Sequence, residues 1–252
     1  MKNKFFIKNY VTNIYMRPSV KSEITSQILY GERFLILLKK NNWLKIKTSF
    51  DNYTGYIKNK NYTDRFNPSH KILKLKSLIY SKLKNKFYKS NSHLPFASKI
   101  SIIKKNKKFI EFSKNKWIKK NDVKKINYIE TDFKKIVSLF LNVKYLWGGK
   151  SFKGLDCSSL IQLFFYFNNQ FFPRDTKDQI KIIKRKNHNK FKKGDIIFWK
   201  GHVAICLNTK NLIHAYGPEK KVLIMPINDT IKTIEKTANL KVKKIYNIKL
   251  CN

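Results

Sequence analysis

Between residues 10 and 60, apolar and polar side chains alternate in short runs, at 10–15, 23–29, 33–38, 43–47 and 53–57, with turn residues such as Arg17-Pro18-Ser19 and Tyr30-Gly31 between them. Trp43-Leu44-Lys45-Ile46 keeps the two-residue period of a half-buried strand. Strand-sized runs at this spacing predict a small β-barrel. A polar stretch at 61–70, containing Pro68, reads as a linker. The plan recurs more faintly over 71–123: Ile79-Tyr80-Ser81 stands at the first turn, 100–103 reads as a strand, and Lys116-Trp117-Ile118 echoes the last one.

After Ile126 the period lengthens. Phe133, Ile136, Val137, Phe140 and Leu141 fall at i, i+3, i+4, i+7 and i+8 behind Thr131 as N-cap, which predicts a helix with one buried face. The loop Tyr145-Leu146-Trp147-Gly148-Gly149 turns tightly, and a second helix begins at Asp156-Cys157 with Leu160, Ile161, Phe164 and Phe165 on its apolar side. From Gly194 onward short strands dominate, at 196–199, 202–207, 212–215 and 222–225. Helix first and sheet afterwards is an α+β arrangement. The expected division is a barrel over 1–66, a degenerate second barrel over 67–125 and an α+β domain over 126–252.

Composition changes this picture little. A hydrophobic fraction of 42% with 19 Phe supports packed cores, so the chain is globular. The 55 Lys+Arg against 15 Asp+Glu leave a net charge of +40, which raises nucleic acid as a partner. The lysines are spread along the whole chain amid a general excess of Asn, Ile and Phe, the composition of an AT-rich genome, so no specific nucleic-acid partner is expected. Cys157, Cys206 and Cys251 form no disulfide framework. The apolar run Phe5-Phe6-Ile7 is far shorter than a secretory signal requires, and no window approaches a membrane span. A cytoplasmic monomer without a cofactor is expected.

The chemistry gathers around Gly154-Leu155-Asp156-Cys157-Ser158-Ser159-Leu160. Asp156 as cap places Cys157 in the first helical turn, where free backbone N–H groups and the helix dipole favour thiolate. A lone cysteine is more commonly a core thiol. His202 opens the apolar strand His202-Val203-Ala204-Ile205, and His214 follows twelve positions later in Ile213-His214-Ala215. Antiparallel strands can set these imidazoles side by side, giving nucleophile, base and orienter. In that reading His202 takes the Cys157 proton and later protonates the leaving amine, while His214 holds its ring. The competing reading makes Cys157, His202 and His214 zinc ligands, although no short ligand pair accompanies them, and no metal is expected. His70, His93 and His188 lie in polar linkers.

Two resemblances sharpen this. Arg17-Pro18-Ser19, Tyr30-Gly31-Glu32, Asn42-Trp43-Leu44-Lys45-Ile46 and Gly55-Tyr56-Ile57 together resemble a bacterial SH3-like module. Tyr145-x-Trp147-Gly148-Gly149, Gly154-x-Asp156-Cys157-Ser158-Ser159-Leu160, Pro173-Arg174-Asp175-Thr176, Gly194-Asp195-Ile196-Ile197-Phe198, His202-Val203-Ala204-Ile205 and Ile213-His214-Ala215 resemble, in order and spacing over about 130–225, the NlpC-type cell-wall peptidases. That resemblance implies a papain-like fold with a Cys157–His202–His214 triad. It also implies hydrolysis of the bond between γ-D-glutamate and a diamino acid in murein peptides carrying a free N-terminal L-Ala. By position, Tyr145 helps hold the oxyanion, Asp156 and Ser158 contact the D-glutamyl unit, and Asp175 pairs with the free amine, flanked by Arg174 and Thr176. Glu32 and Tyr53 of the first barrel are the best matches for residues that help close the amine pocket. Ser159 departs from the glycine many members have there. An amidase or acyltransferase of the same fold, or a non-catalytic wall or polyanion binder, are the alternatives.

Overall fold

A computed structural model of the chain describes residues 4–183 and 190–247, so His188 and Cys251 lie outside the described residues. It contains two compact units. The first runs to Ile129 and takes in Lys150–Phe152 and Phe167–Asn169. The second holds Glu130–Gly149, Lys153–Tyr166 and the chain from Gln170 on.

In the first unit, a seven-stranded antiparallel sheet has the order Ile24–Leu29, Val11–Tyr15, Thr54–Lys58, Trp43–Thr48, Arg33–Lys40, Lys4–Ile7, Tyr62–Thr63. Its inward positions, Ile14, Phe34, Leu44, Ile46 and Ile57, form one core with Ile7 and Ile28. Alternation along the strands produces this core, because every second side chain points inward. Lys4–Ile7 and Tyr62–Thr63 show no such alternation in sequence. They are strands because Lys4–Ile7 pairs with Arg33–Lys40 on one side and with Tyr62–Thr63 on the other, and Tyr62–Thr63 lies in the stretch read as linker.

From His70 to Lys125 the same unit has a five-stranded sheet (Lys86–Pro95, Lys76–Leu83, Lys116–Lys119, Phe109–Ser113, Lys104–Lys105) and a three-stranded one (Lys99–Ile100, His70–Ile72, Val123–Lys125). Ile72, Ile79, Leu94, Ile100, Ile110, Phe112 and Ile118 are their shared core. Apolar burial at about 25 cal/mol per Å² is the main force holding such small all-β pieces together.

In the second unit, a five-stranded antiparallel sheet has the order Lys221–Pro226, Asn211–Tyr216, His202–Cys206, Asp195–Trp199, Lys244–Asn247. The helices are Phe133–Val137, Cys157–Phe167, Thr176–Ile182 and Ile227–Ala238. The first helix is shorter than its periodicity suggested: it gives way to a 3₁₀ turn at Ser138–Phe140. Its N-cap is Asp132, whose carboxylate accepts from the Lys134 N–H, and not Thr131. Aspartate competes well for this position because its carboxylate is a strong acceptor held close to the free N–H groups. Ile197, Trp199, Ala204, Cys206, Leu212, Ile227 and Ile234 pack together, which makes Cys206 an ordinary core thiol. Among the described residues no helix is long and apolar enough to cross a membrane.

Candidate active site

The Cys157–Phe167 helix begins as its sequence directs. The Asp156 Oδ1 accepts from the Ser159 N–H (2.9 Å), so Asp156 is the N-cap and Cys157 the first helical residue. Ser159 completes the arrangement from the other side: its Oγ accepts from the Asp156 N–H (3.1 Å) and donates to the Asp156 carbonyl (3.0 Å). This is a capping box built with serine in place of the usual glutamate. The position that departs from glycine therefore stabilises the start of the helix. Ser159→Ala removes the reciprocal bond and is expected to cost about 1 kcal/mol, read from the midpoint of urea unfolding.

The same aspartate anchors the surrounding loop. Its Oδ2 accepts from the Gly148 N–H (2.9 Å) and from Arg174 Nη2 (2.6 Å), while Oδ1 also accepts from Arg174 Nη1 (2.9 Å) and the Ser158 hydroxyl (3.1 Å). Arg174 Nη1 donates further to Ser158 Oγ (2.8 Å), and Nη2 to the Gly149 carbonyl (3.3 Å). Arg174 and Asp156 are both buried, a two-pronged guanidinium–carboxylate pair. Arg174 is thus hydrogen-bonded to Asp156, eighteen residues away, and acts on its neighbour Asp175 through its charge.

The Cys157 side chain is buried, and its thiol donates to the Gly201 carbonyl at 3.9 Å. The Val203 N–H and the Thr176 hydroxyl also reach the sulfur. Gly201 and Val203 are the two neighbours of His202 in the chain, so the sulfur sits against the start of the His202–Cys206 strand. Burial, with the Asp156 carboxylate adding to it, pushes the thiol up to about 12. The helix start was expected to favour thiolate, and burial outweighs it: the resting group is a thiol.

His202 Nε2 lies 2.9 Å from His214 Nδ1. The strand register pairs Ile205 with Ile213 and Cys206 with Leu212; continued, it sets Tyr216 opposite His202 and His214 diagonally beside it on the same face. Burial pulls His202 down to about 4, and burial together with His202 pulls His214 down to about 3, so both rings are neutral near pH 7. The Tyr216 ring stacks on His214 at 4.8 Å and 10°. The nitrogens needed for zinc point at each other, and among the described residues no three His, Cys, Asp or Glu side chains gather to hold a metal.

Tyr145 is half-buried, and its hydroxyl is held protonated by burial and by the nearby Cys157 and Asp156. Thr176 starts its helix behind Asp175 as N-cap residue. The half-buried Asp175 carboxylate makes no capping bond, and burial raises its pKa against the pull of Arg174 and Lys177. The two barrel residues have partners within their own unit. Glu32 is buried; it accepts from the Leu29 N–H (3.1 Å) and pairs with Lys150 Nζ at 3.3 Å. The half-buried Tyr53 donates its N–H to Thr48 Oγ1 (2.9 Å) and its hydroxyl to the Thr25 carbonyl (3.4 Å). Lys150, Met225 and the Arg174–Asp156 pairing carried no signal that a local reading of the sequence could find.

With this geometry in place, comparison with known proteins is specific. Residues 142–239 match the NlpC/P60 family, and residues 14–61 match the bacterial dipeptidyl-peptidase SH3 domain. A gamma-D-glutamyl-L-lysine dipeptidyl-peptidase of Bacillus subtilis is 25% identical over 233 residues, covering 82% of this chain and 77% of its own. A protein of the same description from Bacillus cereus is 26% identical over 240 residues, covering 82% of this chain and 72% of its own. The crystal structure of an NlpC/P60 family protein from Bacillus cereus superposes with a TM-score of 0.81 at 20% identity, over 97% of this chain and 99% of that one, which shows a shared fold.

Proposed function

We propose that this chain, which carries an NlpC/P60 domain and a bacterial SH3 domain, is a dipeptidyl-peptidase of murein peptides. It cleaves between γ-D-glutamate and the following diamino acid in peptides with a free N-terminal L-Ala. The observation that carries this reading is the thiol seated against the two backbone neighbours of His202, whose Nε2 is already bonded to His214. Only Nδ1 of His202 is left for the sulfur.

In the proposed reaction, Cys157 Sγ attacks the γ-carbonyl carbon as its proton passes to His202 Nδ1. The oxyanion that forms is held by the Cys157 N–H, which has no acceptor among the described residues, and by the protonated Tyr145 hydroxyl. Collapse breaks the C–N bond, and His202 gives its proton to the leaving amine. Water, with His202 as base, then hydrolyses the thioester. Together these groups supply a barrier reduction of about 10 kcal/mol or more. Asp156 and Ser158 shape the D-glutamyl side, with Arg174 neutralising the carboxylate charge and Thr176 positioning the sulfur. We assign 67–125 as a second SH3-like barrel, and Glu32 and Tyr53 as substrate-binding residues.

Asp175 supports the amine-end assignment. It is a half-buried carboxylate without a capping bond, and a substrate ammonium offsets the burial that raises its pKa. Asp175→Asn is expected to raise KM for L-Ala-γ-D-Glu-L-Lys about tenfold or more, while an N-acetylated substrate, poor with the wild type, is handled alike by both enzymes. Equal wild-type rates on the free and acetylated peptides sink the amine-pocket role.

A further inference from the structure

His214 uses both ring nitrogens. Nδ1 faces His202 Nε2 at 2.9 Å, and Nε2 faces the Met225 sulfur at 3.3 Å. Met225 lies on the neighbouring Lys221–Pro226 strand, where His214 pairs with Leu223, so it is the diagonal neighbour on the same face. His214 is fully buried and its plane is set by the stacked Tyr216, so neither nitrogen can turn to water.

A thioether sulfur only accepts. A neutral imidazole carries one N–H, so two proton arrangements are open to the pair. In one, the His214 Nε2–H donates to Met225, and its Nδ1 lone pair accepts from the His202 Nε2–H. That leaves the His202 Nδ1 lone pair free toward Cys157, the form a base requires. In the other, the His214 Nδ1–H donates to His202. Its buried Nε2 lone pair then faces the sulfur lone pairs without a donor, and the His202 proton sits on Nδ1, where it blocks attack. A buried acceptor without a donor is costly, so the sulfur discriminates between the two.

We infer that Met225 is a positioning residue that selects the catalytic tautomer of both histidines by accepting the His214 Nε2–H. The inference rests on the triad reading of the site and adds a fourth member to its proton chain: Cys157, His202, His214, Met225. In a serine peptidase, a residue change that imposes the wrong histidine tautomer costs about 10⁴-fold. Replacing the thioether merely stops the selection, so Met225→Leu is expected to lower kcat about tenfold with KM unchanged.

The deciding measurement is the ¹⁵N–¹H long-range NMR pattern of the histidine rings in substrate-free protein, beside steady-state kinetics. The expected wild-type pattern is Nε2–H on both His202 and His214, with the Nδ1–H form gaining population in Met225→Leu. Biosynthetic replacement of methionine by norleucine, which keeps the shape and removes the sulfur, should reproduce both changes even if the leucine variant folds poorly. Of the described methionines, Met16 and Met225, only Met225 touches the triad. A wild-type His214 protonated on Nδ1 overturns the inference, as do unchanged kcat and tautomer in the norleucine protein. A wild-type enzyme inert toward peptides overturns the triad reading instead, while the ring spectra still report the His214 tautomer.

Discussion

Cys157→Ala abolishes peptide hydrolysis and leaves both fold and peptide binding in place. The sulfur is the only atom removed, and alanine suits the first position of a helix whose start is secured by Asp156 and Ser159. The lost packing of one buried sulfur costs about 1 kcal/mol, too little to unfold a domain of this kind. The catalytic loss is far larger, because His202, His214 and Tyr145 have no role without the atom they serve. A fall in kcat of about 10⁴-fold or more is expected from amine release, with an unchanged circular dichroism spectrum and a peptide Kd within a few-fold of wild type by calorimetry. Retained turnover places the nucleophile elsewhere.

Arg174→Ala is expected to have the largest effect on stability. It leaves Asp156 buried with its charge uncompensated, and that carboxylate also holds the Gly148 N–H, the Ser159 N–H and the Ser158 hydroxyl. Removing one partner of a buried pair costs about 3–5 kcal/mol, and the Gly148–Gly149 loop and the start of the Cys157 helix lose their shared anchor together. Arg174→Lys should recover only part of this, since an ammonium cannot make the paired bonds to both Asp156 oxygens. Urea unfolding measures the loss directly. A change below about 1 kcal/mol in the alanine variant contradicts the anchoring role.

The features legible in the sequence are those set by short spacing. Asp156 ahead of Cys157, a histidine opening one strand and a second histidine in the next are local patterns, and strand pairing does bring those rings within 2.9 Å. The alternating runs of the first barrel are legible for the same reason. Pairings over long separations were not. Arg174 stands beside Asp175 in the chain yet binds Asp156, and Glu32 meets Lys150 across 118 positions. The strands Lys4–Ile7 and Tyr62–Thr63 exist through their neighbours, and Lys244–Asn247 pairs with Asp195–Trp199 from a tail without recognisable features. The charge state of Cys157 was misjudged because a helix start is visible in sequence while burial is not; burial is the larger effect here. Met225 could not have been singled out, because nothing but its place diagonal to His214 on the neighbouring strand distinguishes it.

The most direct test of the function is product analysis after incubating the wild-type protein with L-Ala-γ-D-Glu-L-Lys. L-Ala-D-Glu and free lysine are expected as the only products, formed by the wild type and absent with Cys157→Ala. Cleavage after L-Ala, or an intact tripeptide after incubation with folded protein, would contradict the proposed function.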